Sequence, residues 1–357
     1  MSAARVKVLV VEDSLVVRRL LVHLLDSDPE IQVIGTAATG REALEFLNHA
    51  SPDVVLMDVE MPDMGGFEAT RRIMEWKPLP IVICSGSGDP REASTTFRLM
   101  EAGAVAFVEK PPGTQHRDFE SMVAHLLQTV KLMSEVKVVR RWPRPATPAP
   151  VARATRRAKS ANVALIGIGA STGGPVVLQT ILSMLPKDFA VPILVVQHIA
   201  AGFVRGLADW LNETTGVKVH VAAHGTEPVP GHVYLAPDDY HMTVDSPIRI
   251  VLQKGSTDRG PRPSVACLFE SLARTCGSKA VGVLLSGMGK DGARELKQMK
   301  DRGAMTIVQD RESSVVHGMP GEAIQLGAAV RVLPAEQVAD ALVSHVNGQT
   351  PSEGGGR

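Results

Sequence analysis

The stretch Val163-Ala164-Leu165-Ile166-Gly167-Ile168-Gly169-Ala170-Ser171-Thr172-Gly173-Gly174-Pro175 decides how the larger part of this chain folds. A short apolar run ends in glycines, a serine stands on the turn, and a proline opens the next element. An apolar strand closing in Gly-x-Ser-x-Gly, Gly169 to Gly173, predicts a strand–turn–helix that holds Ser171 up as a nucleophile. Pro175 suits the first turn of a helix, where its missing N–H costs nothing. The same letters contain Gly-x-Gly-x-x-x-Gly (Gly167, Gly169, Gly173), a near miss to a dinucleotide-binding fingerprint.

The residues downstream separate the two readings. Apolar runs predict strands at Val163–Ile168, Ile193–Gln197, Ala280–Leu285, Met305–Val308 and Ala329–Val332. Helical periodicity predicts helices at Pro175–Leu185, Phe203–Glu213, Val265–Arg274, Ala293–Arg302 and Ala335–Asn347. Between about 217 and 253 the period changes to alternation, punctuated by prolines, and an antiparallel insertion on a mainly parallel sheet is expected. A dinucleotide site wants an acidic residue closing its second strand, to bind the ribose hydroxyls. Here that strand closes in Gln197-His198, so the carboxylate is missing and a histidine takes its place. A third strand leads into Ser286-Gly287-Met288-Gly289-Lys290-Asp291. Serine, histidine and aspartate then share the carboxyl rim of one sheet, as a nucleophile–base–orienter triad requires. Ser171 is expected to attack a carbonyl, His198 to take its proton, and Asp291 to orient the imidazole. Backbone N–H groups near Thr172 and Met288 are candidates for holding the oxyanion. His241 and His317 compete with His198 for the base. The chain order Ser…His…Asp differs from that of α/β-hydrolases.

Upstream, strands are expected at Val6–Val11, Ile31–Ala37, Val54–Met57, Ile81–Cys84 and Val105–Val108, alternating with helices such as Leu15–Leu25 and Glu42–Asn48. Such alternation predicts a parallel sheet covered on both faces, with ligands at its carboxyl rim. The polar residues there are Glu12, Asp13, Asp58, Ser85 and Lys110. Clustered carboxylates repel one another and call for a divalent cation; all-oxygen ligation favours Mg²⁺ or Mn²⁺. An aspartate beside such a cation can attack a phosphoryl group, while Lys110 and Ser85 bind its oxygens. A cis bond before Pro111 would aim the lysine.

Lys+Arg and Asp+Glu stand at 38 each and aromatics at 4%, which removes any global electrostatic or base-stacking argument for nucleic acid. The three scattered cysteines do not make a disulfide framework. With no apolar stretch near the roughly 18–20 residues that span a bilayer, and no signal-peptide core, a cytoplasmic protein without membrane insertion is expected. Residues 136–161 hold eight Lys/Arg, no Asp/Glu and many prolines, and read as a solvated, extended spacer. The expected organisation is 1–127 as a first domain, 128–160 as a Pro/Arg-rich linker, 161–349 as a second domain and 350–357 as a flexible tail.

Val10-Val11-Glu12-Asp13-Ser14, Leu56-Met57-Asp58-Val59-Glu60-Met61-Pro62 and Val108-Glu109-Lys110-Pro111 resemble the receiver domain of two-component response regulators. The resemblance implies a flavodoxin-like doubly wound sheet, phosphorylation of Asp58 by a histidine kinase, and Mg²⁺ held by Glu12, Asp13 and Asp58. It also implies switch roles for Ser85 and Phe107. Met64-Gly65-Gly66 departs from the family's common Met-Asp-Gly.

Gly169-Ala170-Ser171-Thr172-Gly173-Gly174-Pro175, Gln197-His198, Tyr234-Leu235-Ala236-Pro237-Asp238-Asp239-Tyr240-His241-Met242, Arg262-Pro263-Ser264-Val265 and Ser286-Gly287-Met288-Gly289-Lys290-Asp291-Gly292-Ala293 resemble the catalytic domain of chemotaxis protein-glutamate methylesterases. That family implies hydrolysis of glutamate methyl esters on methyl-accepting chemoreceptors, and deamidation of receptor glutamines, with no cofactor at the hydrolytic site. Its triad falls on Ser171, His198 and Asp291. Ala266 stands where the family commonly has aspartate. A receiver docked over the catalytic rim would hinder a bulky substrate, and phosphorylation would relieve it. The rivals are a nicotinamide oxidoreductase, a DNA-binding regulator and a non-catalytic scaffold.

Overall fold

The computed structural model describes residues 5–86, 90–111, 119–136, 138, 163–255 and 261–348, with backbone alone at 90–94. The Pro/Arg-rich run from 139 to 160 and the tail 350–357 lie outside the described residues. The chain forms two compact units, Met1–Ala149 and Pro150–Arg357.

In the first unit the order is β1 (Val6–Val11), α1 (Leu15–Asp26), β2 (Ile31–Ala37), α2 (Gly40–His49), β3 (Val54–Asp58), α3 (Gly66–Trp76), β4 (Ile81–Ser85), α4 (Pro90–Ala102), β5 (Ala106–Glu109) and α5 (Phe119–Ser134). The sheet runs β2-β1-β3-β4-β5, with every pairing parallel. β3 and β4 are buried along their whole length because helices cover both faces, which is why they read as unbroken apolar runs. Thr39 caps α2: its Oγ1 accepts from Glu42 N at 3.2 Å, and the Glu42 carboxylate reaches back past the cap to accept from Ala38 N at 2.7 Å. α5 runs on across residue 127, and its Lys131 pairs with Asp28 and Glu30 at 2.8 Å each. The Lys110–Pro111 bond is trans; the cis bonds among the described residues precede Pro247 and Pro263.

The second unit comprises β6 (Leu165–Ala170), α6 (Gly174–Met184), β7 (Ile193–Gln197), α7 (Phe203–Thr215), β8 (Lys218–Val221), β9 (His232–Leu235), β10 (His241–Asp245), β11 (Arg249–Gln253), α8 (Val265–Thr275), β12 (Ala280–Leu284), α9 (Ala293–Asp301), β13 (Met305–Gln309), α10 (Met319–Gln325), β14 (Arg331–Leu333) and α11 (Ala335–Val346). Its sheet runs β14-β13-β12-β6-β7-β9-β8 and is parallel throughout. The expected antiparallel insertion is the β10–β11 hairpin alone. Val217–Val221, which alternates like that hairpin, lies instead at the edge strand β8, where one face is wet even in a parallel sheet.

β6 sits at the centre, and the chain leaves it towards β7 on one side and returns through β12 on the other. That reversal is the switch point where doubly wound sheets bind ligands. The glycines of β6 have a packing role. A Cβ on Gly167 would come within 2.4 Å of Leu272, and one on Gly169 within 2.3 Å of Val265. Bare backbone there lets α8 press directly against the strand.

Candidate functional site

In the first unit, Glu12, Asp13 and Asp58 converge at the carboxyl ends of β1 and β3, with carboxylate oxygens within 4.8 Å of one another. Lys110, just past β5, reaches Asp58 at 2.7 Å and Glu12 at 2.9 Å. Burial raises the Glu12 and Asp58 carboxyls above their ordinary values, against the opposing pull of Lys110. Burial alone would lower the Lys110 ammonium, but its bonds to Asp58 and Glu12 raise it to about 12. Three carboxylates against one ammonium leave excess negative charge and all-oxygen donors, a set that suits a hard divalent cation. Ser85 ends β4 with no exposure, and its carbonyl accepts from Lys110 N at 2.7 Å. Phe107 on β5 meets Phe97 edge-on, with centroids 6.0 Å apart.

In the second unit, Ala170 and Gln197 are register partners on β6 and β7. Ser171 and His198 are therefore the next residues off two adjacent parallel strands, about 5 Å apart at the backbone. His198 N donates to Ala170 O at 2.9 Å, and Ser171 N to Ser286 O at 3.0 Å. The serine turn ends at Gly173, with φ +78°, where a Cβ would also lie 2.7 Å from Val315. Only glycine meets both demands.

His198 Nε2 lies 2.9 Å from Asp291 Oδ2. Asp291 also accepts from Val265 N (2.7 Å), Ala266 N (3.0 Å) and the Ser264 hydroxyl (2.9 Å). The first turn of α8 is thus capped by a carboxylate from another loop, and Ser264, its own N-cap residue, serves that carboxylate. Burial pushes the Asp291 carboxyl up, but the His198 bond and charge and the two backbone N–H groups outweigh it and hold it below its ordinary 3.8. Ala266 contributes only its N–H.

Of the competing bases, His241 is buried on β10, while His317 bridges to Gly287 beside the site. The imidazole paired with the aspartate is that of His198. Neither Thr172 N nor Met288 N donates to a protein acceptor among the described residues. Sequence reasoning missed the buried polar frame. Ser286 Oγ donates to Thr172 O at 2.8 Å and accepts from Val316 N at 3.0 Å, while Ser286 N donates to Gln309 Oε1 at 2.7 Å. Gln197 Nε2 donates to Ser171 O and His198 O. A glutamine closing a largely apolar strand, as in β7 and β13, is the signal that marks Gln197 and Gln309.

Comparison with known proteins fits this layout. Residues 8–118 match the response regulator receiver domain, and residues 166–342 match CheB methylesterase. The class is therefore a response regulator that carries a hydrolase domain. The chain is 52% identical over 344 residues to a protein-glutamate methylesterase/protein-glutamine glutaminase of Nitrosospira multiformis, spanning 96% of this chain and 97% of that one. It is also 52% identical to one from Geobacter metallireducens, over 95% of this chain and 98% of the relative. The crystal structure of the Thermotoga maritima CheB methylesterase catalytic domain covers 51% of this chain and 98% of its own, at 38% identity and a TM-score of 0.50. The chain belongs to the CheB methylesterase family. Among the described residues, no helix is long and apolar enough to cross a membrane.

Proposed function

We propose that this protein hydrolyses glutamate methyl esters on methyl-accepting chemoreceptors, and deamidates receptor glutamines, under control of phosphorylation at Asp58. The observation that carries the hydrolytic half is the 2.9 Å His198–Asp291 pair standing one strand from Ser171. Because Asp291 holds Nε2, Nδ1 is the nitrogen left to take the Ser171 proton. Ser171 Oγ adds to the ester carbonyl, and the oxyanion is held by the Thr172 and Met288 N–H groups. His198 returns the proton to the departing methanol, or to ammonia from a glutamine. It then activates the water that frees the glutamate.

For the regulatory half, Glu12, Asp13 and Asp58 would hold Mg²⁺, which when bound offsets charge on the incoming phosphoryl group. Lys110 is placed to bind a phosphoryl oxygen, with Ser85 and Phe107 as the responding positions. A chemotaxis histidine kinase is the phosphodonor, and the protein works in the cytoplasm. We take 1–127, 128–160, 161–349 and 350–357 as receiver, linker, catalytic domain and tail.

The test is methanol release from receptor membranes carrying radiolabelled methyl esters, with acetyl phosphate and Mg²⁺ in half the samples. Release should rise with the phosphodonor and fall by roughly 10⁴-fold or more in Ser171→Ala. Undiminished release from Ser171→Ala would end the serine-hydrolase reading.

A further inference from the structure

We propose that Gln197 is a positioning residue whose side-chain amide sets the approach of Ser171 to His198. This rests on the reading of those two residues as nucleophile and base.

Gln197 is the last residue of β7 and is 4% exposed. Its Nε2 donates to Ser171 O at 2.8 Å and to His198 O at 2.9 Å. Both amide protons are used, one on each residue of the pair. On their amino sides Ser171 and His198 are already fixed, by bonds to Ser286 O and Ala170 O. On the carboxyl side Ser171 O also accepts from Gly174 N at 2.8 Å. Gln197 is the group that ties Ser171 O and His198 O to each other, through one planar amide with little freedom of its own. Flipping the amide would aim Oε1 at two carbonyl oxygens, so its orientation is determined.

That orientation has a cost which packing alone does not explain. Oε1 is buried and finds no donor among the described residues. It faces Gly174, where a Cβ would come within 2.2 Å. An apolar side chain of the same length would fill the space without that unpaired Oε1, but would withdraw the donor from His198 O and one of the two from Ser171 O. The glutamine stands where its two N–H groups hold Ser171 and His198.

Positioning acts on turnover more than on substrate binding, and a shift of 1 Å can cost about 10²-fold. In the full-length protein, Gln197→Met keeps the volume and removes both donors. Its kcat should fall about 10- to 100-fold, with KM within about twofold. Labelling of Ser171 by a fluorophosphonate should slow in parallel, while the melting temperature stays near that of wild type. A folded variant with wild-type kcat would overturn the proposal. So would kcat, KM and melting temperature all deteriorating together, the mark of a purely structural role.

Should Gln197→Met not fold, Gln197→Glu carries the test. Its carboxyl can donate one bond when protonated and repels both carbonyls when ionised. Its activity should therefore be lost with rising pH in a range where wild type stays active. A wild-type pH profile would overturn the proposal. Ser171→Ala runs alongside: turnover without Ser171 sinks the underlying hydrolase reading. An inert Ser171→Ala beside a fully active Gln197→Met sinks only the role given to Gln197.

Discussion

Asp291 is the residue on which most depends. Its carboxylate accepts four hydrogen bonds: one from His198, two from the first turn of α8 and one from Ser264. Asp291→Asn should lower turnover about 10⁴-fold, by misorienting the imidazole and removing the charge that stabilises its protonated form. It should also destabilise the fold by about 1–3 kcal/mol at neutral pH, since a charged acceptor is lost at a helix start. The sign of the pH dependence comes from the depressed carboxyl. A folded value below 3.8 means the contribution is complete above 3.8 and is lost as pH falls through the folded value. The stability gap between wild type and Asp291→Asn should thus be full at neutral pH and close in strong acid, read by urea unfolding at each pH. At this scale the sequence was informative about chemistry and silent about support. Ser171, His198 and Asp291 stand out because reactive groups end strands. Ser264 stands inside a recognisable motif, yet its bond to Asp291 crosses 27 positions and has no local signature.

Strand β6 and helix α8 are the element pair packed beside Ser171 and Asp291. Gly169→Ala would drive a methyl group into Val265, the first residue of α8, where overpacking costs about 1–3 kcal/mol. Both melting temperature and turnover should drop, and Val265→Ala in the same chain should recover much of each, since the two sites share one contact. Independent, additive losses would contradict this packing account. In the first unit, Gly65 is the N-cap of α3 with ordinary extended angles, and the nearest atom to a Cβ there is 3.6 Å away. Gly65→Asp should therefore stabilise that unit by a few tenths of a kcal/mol, measured by thermal unfolding, without altering phosphoryl uptake at Asp58. The glycine pattern of β6 was ambiguous in sequence, because a missing side chain looks alike whether it admits a pyrophosphate or a helix. Long buried strands and amphipathic helices were legible from periodicity, with ends correct to a residue or two. β8 was not, because a parallel edge strand exposes one face and alternates like a hairpin strand. The seven-residue α10 is too short to show a period.

Across the whole molecule, each unit has its own sheet and its own core, and the bonds that support Ser171, His198 and Asp291 lie within the second. Residues 161–349 alone should release methanol from receptor membranes in a Ser171-dependent way and ignore acetyl phosphate. Full-length Asp58→Asn should keep basal release and likewise not respond. A phosphodonor response in either would place control elsewhere than Asp58. The cap that Asp291 places on α8 reaches beyond the reaction to how such a chain can decay. A lineage freed from selection for hydrolysis could discard Ser171 or His198 at small cost to folding, whereas discarding Asp291 would loosen the start of a core helix. Inactive descendants should therefore be recognisable as fossils that have lost the serine or the histidine and kept the aspartate.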